Sequence, residues 1–278
     1  MSTAKTKELL HQFGLTPNKA LGQNFLCDES AISSILDAAE IDEKYVLEIG
    51  PGLGALTVPL IGRAKKLAAV EIDFALYNVL KTRLTDADNV LLIHRDFLKL
   101  DVKGLYTDFF EGGSFCVVAN LPYYVTSPIC MALLSGDYPI ESMTLMLQKE
   151  AAERFFTPPE TKIYGPMTVL AKFGYTIKKV LSLSPAAYYP APEIDSVVIR
   201  LSKKENAPFI KALPPLLTAA FSMRRKTIFN NLKPLFQTRE ALSDALDACG
   251  INPAARAESL PPETFAKLAM KFKKIEVE

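Results

Sequence analysis

The chain has 278 residues, 49% of them hydrophobic and 23% charged, which is enough apolar material for one large domain or two ordinary ones and excludes a largely disordered chain. No apolar run reaches the ~18–20 residues of a membrane span, and the opening MSTAKTKELLHQFG has neither the apolar core of a secretory signal nor a lipidation motif. The net charge of +1 hides an asymmetry: residues 1–199 carry a net −5 and residues 200–278 a net +6, with nine basic against two acidic residues between 200 and 240.

In chain order, short apolar runs at Tyr45–Ile49, Leu67–Ile72, Val90–Ile93, Phe115–Ala119 and Met143–Leu147 lie near Gly, Asp or Asn and predict buried parallel strands. Helical patterns separate them. Ile32, Ile35, Leu36 and Ala39 recur at i, i+3, i+4 spacing after Asp28-Glu29, and Phe74–Leu84 repeats the theme. This alternation implies right-handed βαβ units in a doubly wound α/β sheet. Lys178–Leu183 and Ser196–Leu201 read as two further strands, a closing antiparallel hairpin. The charged stretch from Lys203 to Pro208 reads as a linker. Beyond it the pattern is helical: Pro214 and Pro215 interrupt a first helix, Thr238–Ala248 forms another that stops at Gly250, and Pro262–Phe272 makes the last. The expected division is an α/β domain over 1–202 and a small, basic, all-helical domain over 203–278.

Four cysteines (Cys27, Cys116, Cys130, Cys249), spaced 89, 14 and 119 positions apart, match neither a disulfide framework nor a zinc pattern. With His11 and His94 the only histidines, no metal site is expected. The protein reads as cytoplasmic, from a reducing compartment. The basic segment points to a polyanion partner, and a solvated helical face explains it equally well.

Chemistry enters at the strand ends. Val46-Leu47-Glu48-Ile49 runs into Gly50-Pro51-Gly52-Leu53-Gly54-Ala55, a glycine-rich turn that lets backbone approach a ligand without Cβ interference. Alone it fits a nicotinamide or flavin dinucleotide as well. Glu71 ends the second strand 21 residues after Gly50, placed to accept from both hydroxyls of a ribose. Asp96 follows the third, placed to accept from an adenine amino group, with Phe97 beside it to pack on the ring. Taken singly each acid is more often an ordinary loop residue; three successive strand ends together point to an adenosine-bearing ligand. The fourth strand ends in Asn120-Leu121-Pro122-Tyr123. The side-chain carbonyl of Asn120 and the backbone carbonyl of Leu121, aimed by the fixed φ of Pro122, can accept from an exocyclic adenine amine as it becomes tetrahedral during methyl transfer. Tyr123 offers a flat surface for the base.

With these residues the sequence closely resembles the ribosomal RNA adenine N6,N6-dimethyltransferases over nearly the whole chain. The match begins at Pro17-Asn18-Lys19-Ala20-Leu21-Gly22-Gln23-Asn24-Phe25-Leu26, whose Gln-Asn-Phe-Leu segment the family uses to close over its cofactor. The resemblance implies a Rossmann-like S-adenosylmethionine-dependent methyltransferase sheet with a helical C-terminal domain. It places Asn24 and Leu26 on the cofactor, Gly50, Gly52 and Gly54 near its methionine part, Glu71 at the ribose, Asp96 at the adenine, and Asn120 on both cofactor and target base. The chain is closer to the KsgA (RsmA) branch, which modifies two adjacent adenosines in a hairpin loop near the 3′ end of 16S rRNA, than to the Erm branch of large-subunit resistance enzymes. The marks of that branch are Ser127-Pro128, Pro190–Ser196, Phe221–Thr227 with Asn230-Asn231-Leu232, and Arg256–Leu260.

Tyr188 stands where the family commonly has Phe and keeps a stacking face. Arg224, Arg225 and Lys226, read as a helix start, are candidates for rRNA phosphates, with at least one free to pair with an acid of the first domain instead. Asn230 and Asn231 read as structural. The implied partner is small-subunit rRNA in the 30S particle, met by a monomer. A ribosome-assembly factor acting by binding alone has no use for a cofactor pocket, although the two roles can coexist.

Overall fold

The computed structural model describes residues 1–272; residues 273–278, the end of the expected 203–278 domain, lie outside the described residues. The strands in chain order are β1 (Phe25–Leu26), β2 (Tyr45–Ile49), β3 (Lys66–Glu71), β4 (Val90–His94), β5 (Phe115–Asn120), β6 (Ile140–Gln148), β7 (Tyr175–Leu183), β8 (Tyr188–Tyr189) and β9 (Ser196–Lys203). Seven of them make one sheet in the order β4-β3-β2-β5-β6-β9-β7. The pairs among β2 to β6 are parallel, and β9 lies antiparallel against β6 from Ser142↔Ser202 to Gln148↔Ser196. The chain winds outward from β2 to β4, then crosses to β5 on the other side of β2. That reversal opens a crevice at the carboxyl ends of β2 and β5, where ligands bind in open α/β sheets.

The apolar runs are strands because both faces of the sheet are covered. Val46, Leu47, Leu67, Ala68, Phe115, Cys116 and Val118 are all fully buried, as expected of parallel strands between helices. The helix Glu29–Ala39 starts where the Asp28 side chain accepts from the Ala31 N–H at 2.9 Å, and it buries Ala31, Ile32, Ile35, Leu36 and Ala39. Asp73 caps Phe74–Arg83 in the same way, accepting from the Ala75 and Leu76 N–H groups at 2.8 and 3.2 Å. A two-stranded ribbon, Phe25↔Tyr189 and Leu26↔Tyr188, pairs the N-terminal segment with the chain that precedes β9.

The chain divides into two compact units. One comprises 1–133, 138–152 and 177–203; the other comprises 134–137, 153–176 and the chain from Lys204 on. The second unit therefore takes in more than the helical segment after 203. The helix Pro166–Gly174 buries Met167, Val169 and Leu170 and packs on Leu213–Ala220 and Pro262–Lys271, so its apolar face belongs to that core. There Phe221 lies 6.0 Å from Tyr164 and 5.6 Å from Phe265, centroid to centroid, and the Tyr164 hydroxyl donates to Leu260 O at 2.8 Å. Pro214 and Pro215 do not interrupt a helix. They sit in the first turn of Leu213–Ala220, where a missing N–H costs nothing because those groups have no intrahelical acceptor. Asn231 is buried and donates through Nδ2 to Ala220 O at 2.6 Å and Met223 O at 3.0 Å, which pins the turn that carries Arg224–Lys226.

Candidate active site

A cleft of about 820 Å³, its open mouth included, lies at the carboxyl ends of β2, β3 and β5 within the first unit. Asn24, Leu26, Gly50, Gly52, Glu71, Asn120, Leu121, Pro122 and Tyr123 all line it. The glycine turn after β2 forms its floor. Gly52 has φ +59°, and a Cβ there would meet the Phe25 ring at 3.3 Å, so only glycine gives this turn without strain. Gly54 is not among the lining residues. Its φ is +84° and a Cβ would stand 2.9 Å from Leu80 Cδ2, so its smallness lets the helix Phe74–Arg83 pack against the turn. From that helix the Arg83 guanidinium donates to the Leu53 carbonyl.

Glu71, at the end of β3, is 4% exposed. Its Oε2 accepts from the Gly52 N–H at 3.0 Å and its Oε1 from the Asp73 N–H at 2.9 Å. Burial pushes its carboxyl above the usual range, and the two backbone donors oppose that rise. Each oxygen keeps a further lone pair for a ligand hydroxyl. Glu48, inside β2, is 2% exposed and lines the same cleft. Burial pushes its carboxyl up to about 8, with Glu71 adding to the rise, and its Oε2 has no hydrogen-bond partner among the described residues. In the sequence this acid stands inside an apolar run, and nothing local to it signals a role.

The opposite wall comes from the end of β5. Asn120 Nδ2 donates to the Asn24 carbonyl at 3.3 Å, which leaves its Oδ1 as the group free to accept. The Pro122 carbonyl accepts from the Val125 N–H at 3.2 Å and the Thr126 hydroxyl at 3.0 Å, so the loop is held from behind. The Tyr123 hydroxyl lies 3.2 Å from Ser196 Oγ, fixing the ring by its far end. Tyr124, which sequence reasoning does not single out, also lines the cleft while 54% exposed. Its phenol is raised by burial first and then by the charges of Asp96 and Glu71.

Other expected residues lie elsewhere. Asp96 is not among the lining residues; its Oδ1 caps the turn Phe97–Lys99 by accepting from the Leu98 N–H at 3.0 Å. Tyr188 is 4% exposed within the core around Leu26, Leu183 and Val198, so in this conformation its ring presents no open face. Arg224, Arg225 and Lys226 are exposed in the second unit, in a turn preceding the helix Ile228–Leu232 instead of on a helix start. Arg224 has an acidic partner, but within its own unit: Nε lies 3.4 Å from Glu258 Oε2, and the guanidinium also donates to the Thr161 and Lys162 carbonyls.

These features fit an adenosine-bearing ligand with an amino acid tail. Gly52 keeps the turn open where a Cβ would crowd the Phe25 ring, Glu71 presents a fixed carboxylate with lone pairs to spare for hydroxyls, and Glu48 Oε2 is a buried oxygen without a partner among the described residues.

Residues 14–274 match the family model described as ribosomal RNA adenine dimethylase. A protein of Geobacillus thermodenitrificans named Ribosomal RNA small subunit methyltransferase A is 42% identical over 275 residues, 95% of this chain and 94% of the relative. A Clostridium botulinum protein of the same name is 40% identical over 269 residues, 95% of this chain and 97% of the relative. Among solved structures, a dimethyladenosine transferase from Plasmodium falciparum superposes with a TM-score of 0.72 at 27% identity, covering 89% of this chain and 97% of that one. The 23S rRNA methyltransferase ErmE superposes at 0.62 with 26% identity, over 90% and 100%. A match that runs almost end to end, through the cleft and the helical unit alike, shows that the chain belongs to the ribosomal RNA adenine dimethylase family.

Proposed function

We propose that this protein transfers methyl groups from S-adenosylmethionine to N6 of two adjacent adenosines in a hairpin loop near the 3′ end of small-subunit rRNA. The product is N6,N6-dimethyladenosine, made by a monomer on the 30S particle in the cytoplasm. Residues 1–202 hold the cofactor, and the segment from 203 on supplies rRNA recognition through Arg224, Arg225 and Lys226. The observation that carries the reading is the convergence of Asn24, Gly52, Glu71 and Asn120 in one cleft. The names of the relatives at 40–42% identity support the small-subunit substrate over the large-subunit one.

Bound in the cleft, S-adenosylmethionine supplies a methyl group activated by its sulfonium. Glu71 would accept from the ribose hydroxyls with the lone pairs its two backbone donors leave free. Asp96 lies outside the cleft lining with Oδ1 on the Leu98 N–H, so its Oδ2 would accept from the adenine amine. The target nitrogen is a weak nucleophile, because its lone pair is delocalised into the ring. Asn120 Oδ1 and the Leu121 carbonyl counter this by accepting from the amine as it becomes tetrahedral. Catalysis then rests on orientation and on acceptors that need not reorganise. The target adenine must leave its stack, at a cost of a few kcal/mol, and the anchored face of Tyr123 recovers part of that cost. Stacking by Tyr188 as well requires its ring to leave its position in the core.

The test is Asn120→Ala, assayed with S-adenosylmethionine and unmethylated 30S particles. Methyl transfer should fall by about 10²–10³, while affinity for the rRNA stays within about twofold of the unsubstituted chain. Wild-type rates in this variant would place the acceptor elsewhere.

A further inference from the structure

The segment that covers the cleft is fastened to the ribose-binding side by one side chain. Gln23 is half-buried and uses both ends of its amide. Its Oε1 accepts from the Asn18 N–H at 2.8 Å, closing the turn over residues 18–23, and its Nε2 donates to Asp73 Oδ2 at 2.8 Å, fifty positions along the chain. Asp73 is fully engaged. Its Oδ1 caps the helix Phe74–Arg83, and its N–H donates to Glu71 Oε1 at 2.9 Å, while Gly52 donates to Glu71 Oε2 at 3.0 Å. A continuous chain of hydrogen bonds therefore runs from Asn18 through Gln23, Asp73 and Glu71 to the glycine turn. On the other side of the cleft Asn120 Nδ2 holds the Asn24 carbonyl.

We infer that Gln23 is a positioning residue, a latch that sets the covering segment against Asp73 so that Asn24 and Glu71 meet the cofactor at a fixed separation. The inference rests on the cofactor reading of the cleft. Gln23 itself lines the cleft, but both ends of its amide are engaged by the protein, so it acts through Asp73. The chemistry is polar and directional: an amide donor meets a carboxylate acceptor, a charge-assisted bond. Gln23→Glu keeps the size and the acceptor toward Asn18 but sets two carboxylates against each other. Adding Asp73→Asn reverses the polarity of the pair, since the new amide can donate where the carboxylate accepted, and its oxygen still caps the helix.

The experiment measures two quantities on the full chain. One is amide hydrogen exchange of residues 18–26 without cofactor, and the other is S-adenosylmethionine affinity by calorimetry. Gln23→Glu should speed exchange in this segment and weaken binding about tenfold. The double substitution should restore both to within about threefold of the unsubstituted chain. Unchanged exchange and affinity in Gln23→Glu would overturn the latch, and so would a double variant no better than the single. An unsubstituted chain that binds no S-adenosylmethionine would overturn the cofactor reading instead, and the exchange arm would still decide whether Gln23 fastens the segment.

Discussion

Glu48 shows what a single side chain can do when a strand carries it into the interior. Its carboxyl is raised to about 8 by burial, with Glu71 adding to the shift, so the folded chain holds a proton that the unfolded chain releases near the ordinary carboxylate value. Between those two values the unfolded state binds fewer protons than the native state, and stability falls as pH rises. For one proton the slope is at most ~1.4 kcal/mol per pH unit. Glu48→Gln removes the titration and keeps the volume. Thermal unfolding from pH 5 to pH 8 should lose less stability in this variant than in the unsubstituted chain, and identical slopes would mean that Glu48 is ionised when folded. Glu48 is not legible in the sequence as a cleft residue, and Gln23 is legible only as part of the segment that the family resemblance places over the cofactor, not as a partner of Asp73. An acid within Val46–Ile49 looks like one face of a strand until both faces prove to be covered, and the partner of Gln23 lies fifty residues away. Asn120 is legible because it falls at a strand end and because Pro122 restricts the backbone of Leu121 between them.

At the scale of elements, the parallel strands are readable because burial on both faces makes them nearly continuous apolar runs, and the glycine turn because only glycine serves there. Gly54→Ala tests the second point. A Cβ at φ +84° is strained and meets Leu80 Cδ2 at 2.9 Å, and the expected loss is about 1–3 kcal/mol in urea unfolding. Full stability would show that the helix Phe74–Arg83 can shift without cost. The ribbon of β1 and β8 cannot be read from sequence, since two residues carry no periodicity and their pairing spans more than 160 positions. Pro214 and Pro215 look like breakers and are not, because a proline's meaning depends on whether a helix begins or continues at it. The burial of Tyr188 comes from the ribbon, which local sequence does not show.

For the whole molecule, the division of charge between residues 1–199 and 200–278 is legible from composition, whereas the membership of Pro166–Gly174 in the helical unit is set by packing alone. If the basic segment engages rRNA phosphates, affinity for an rRNA hairpin must fall with salt. Arg225→Ala and Lys226→Ala should each lower the slope of log affinity against log salt by roughly 0.7–0.9. Arg224→Ala should lower the slope as well and cost stability besides, because its guanidinium is tied to Thr161, Lys162 and Glu258. Affinity independent of salt would contradict phosphate contacts in this region. The most direct test of the central claim offers the purified chain labelled S-adenosylmethionine with two substrates, unmethylated 30S particles and protein-free large-subunit rRNA, and identifies the product by nucleoside mass spectrometry. The account predicts N6,N6-dimethyladenosine in the 30S rRNA alone; label confined to the large-subunit rRNA, or label in neither, would contradict it.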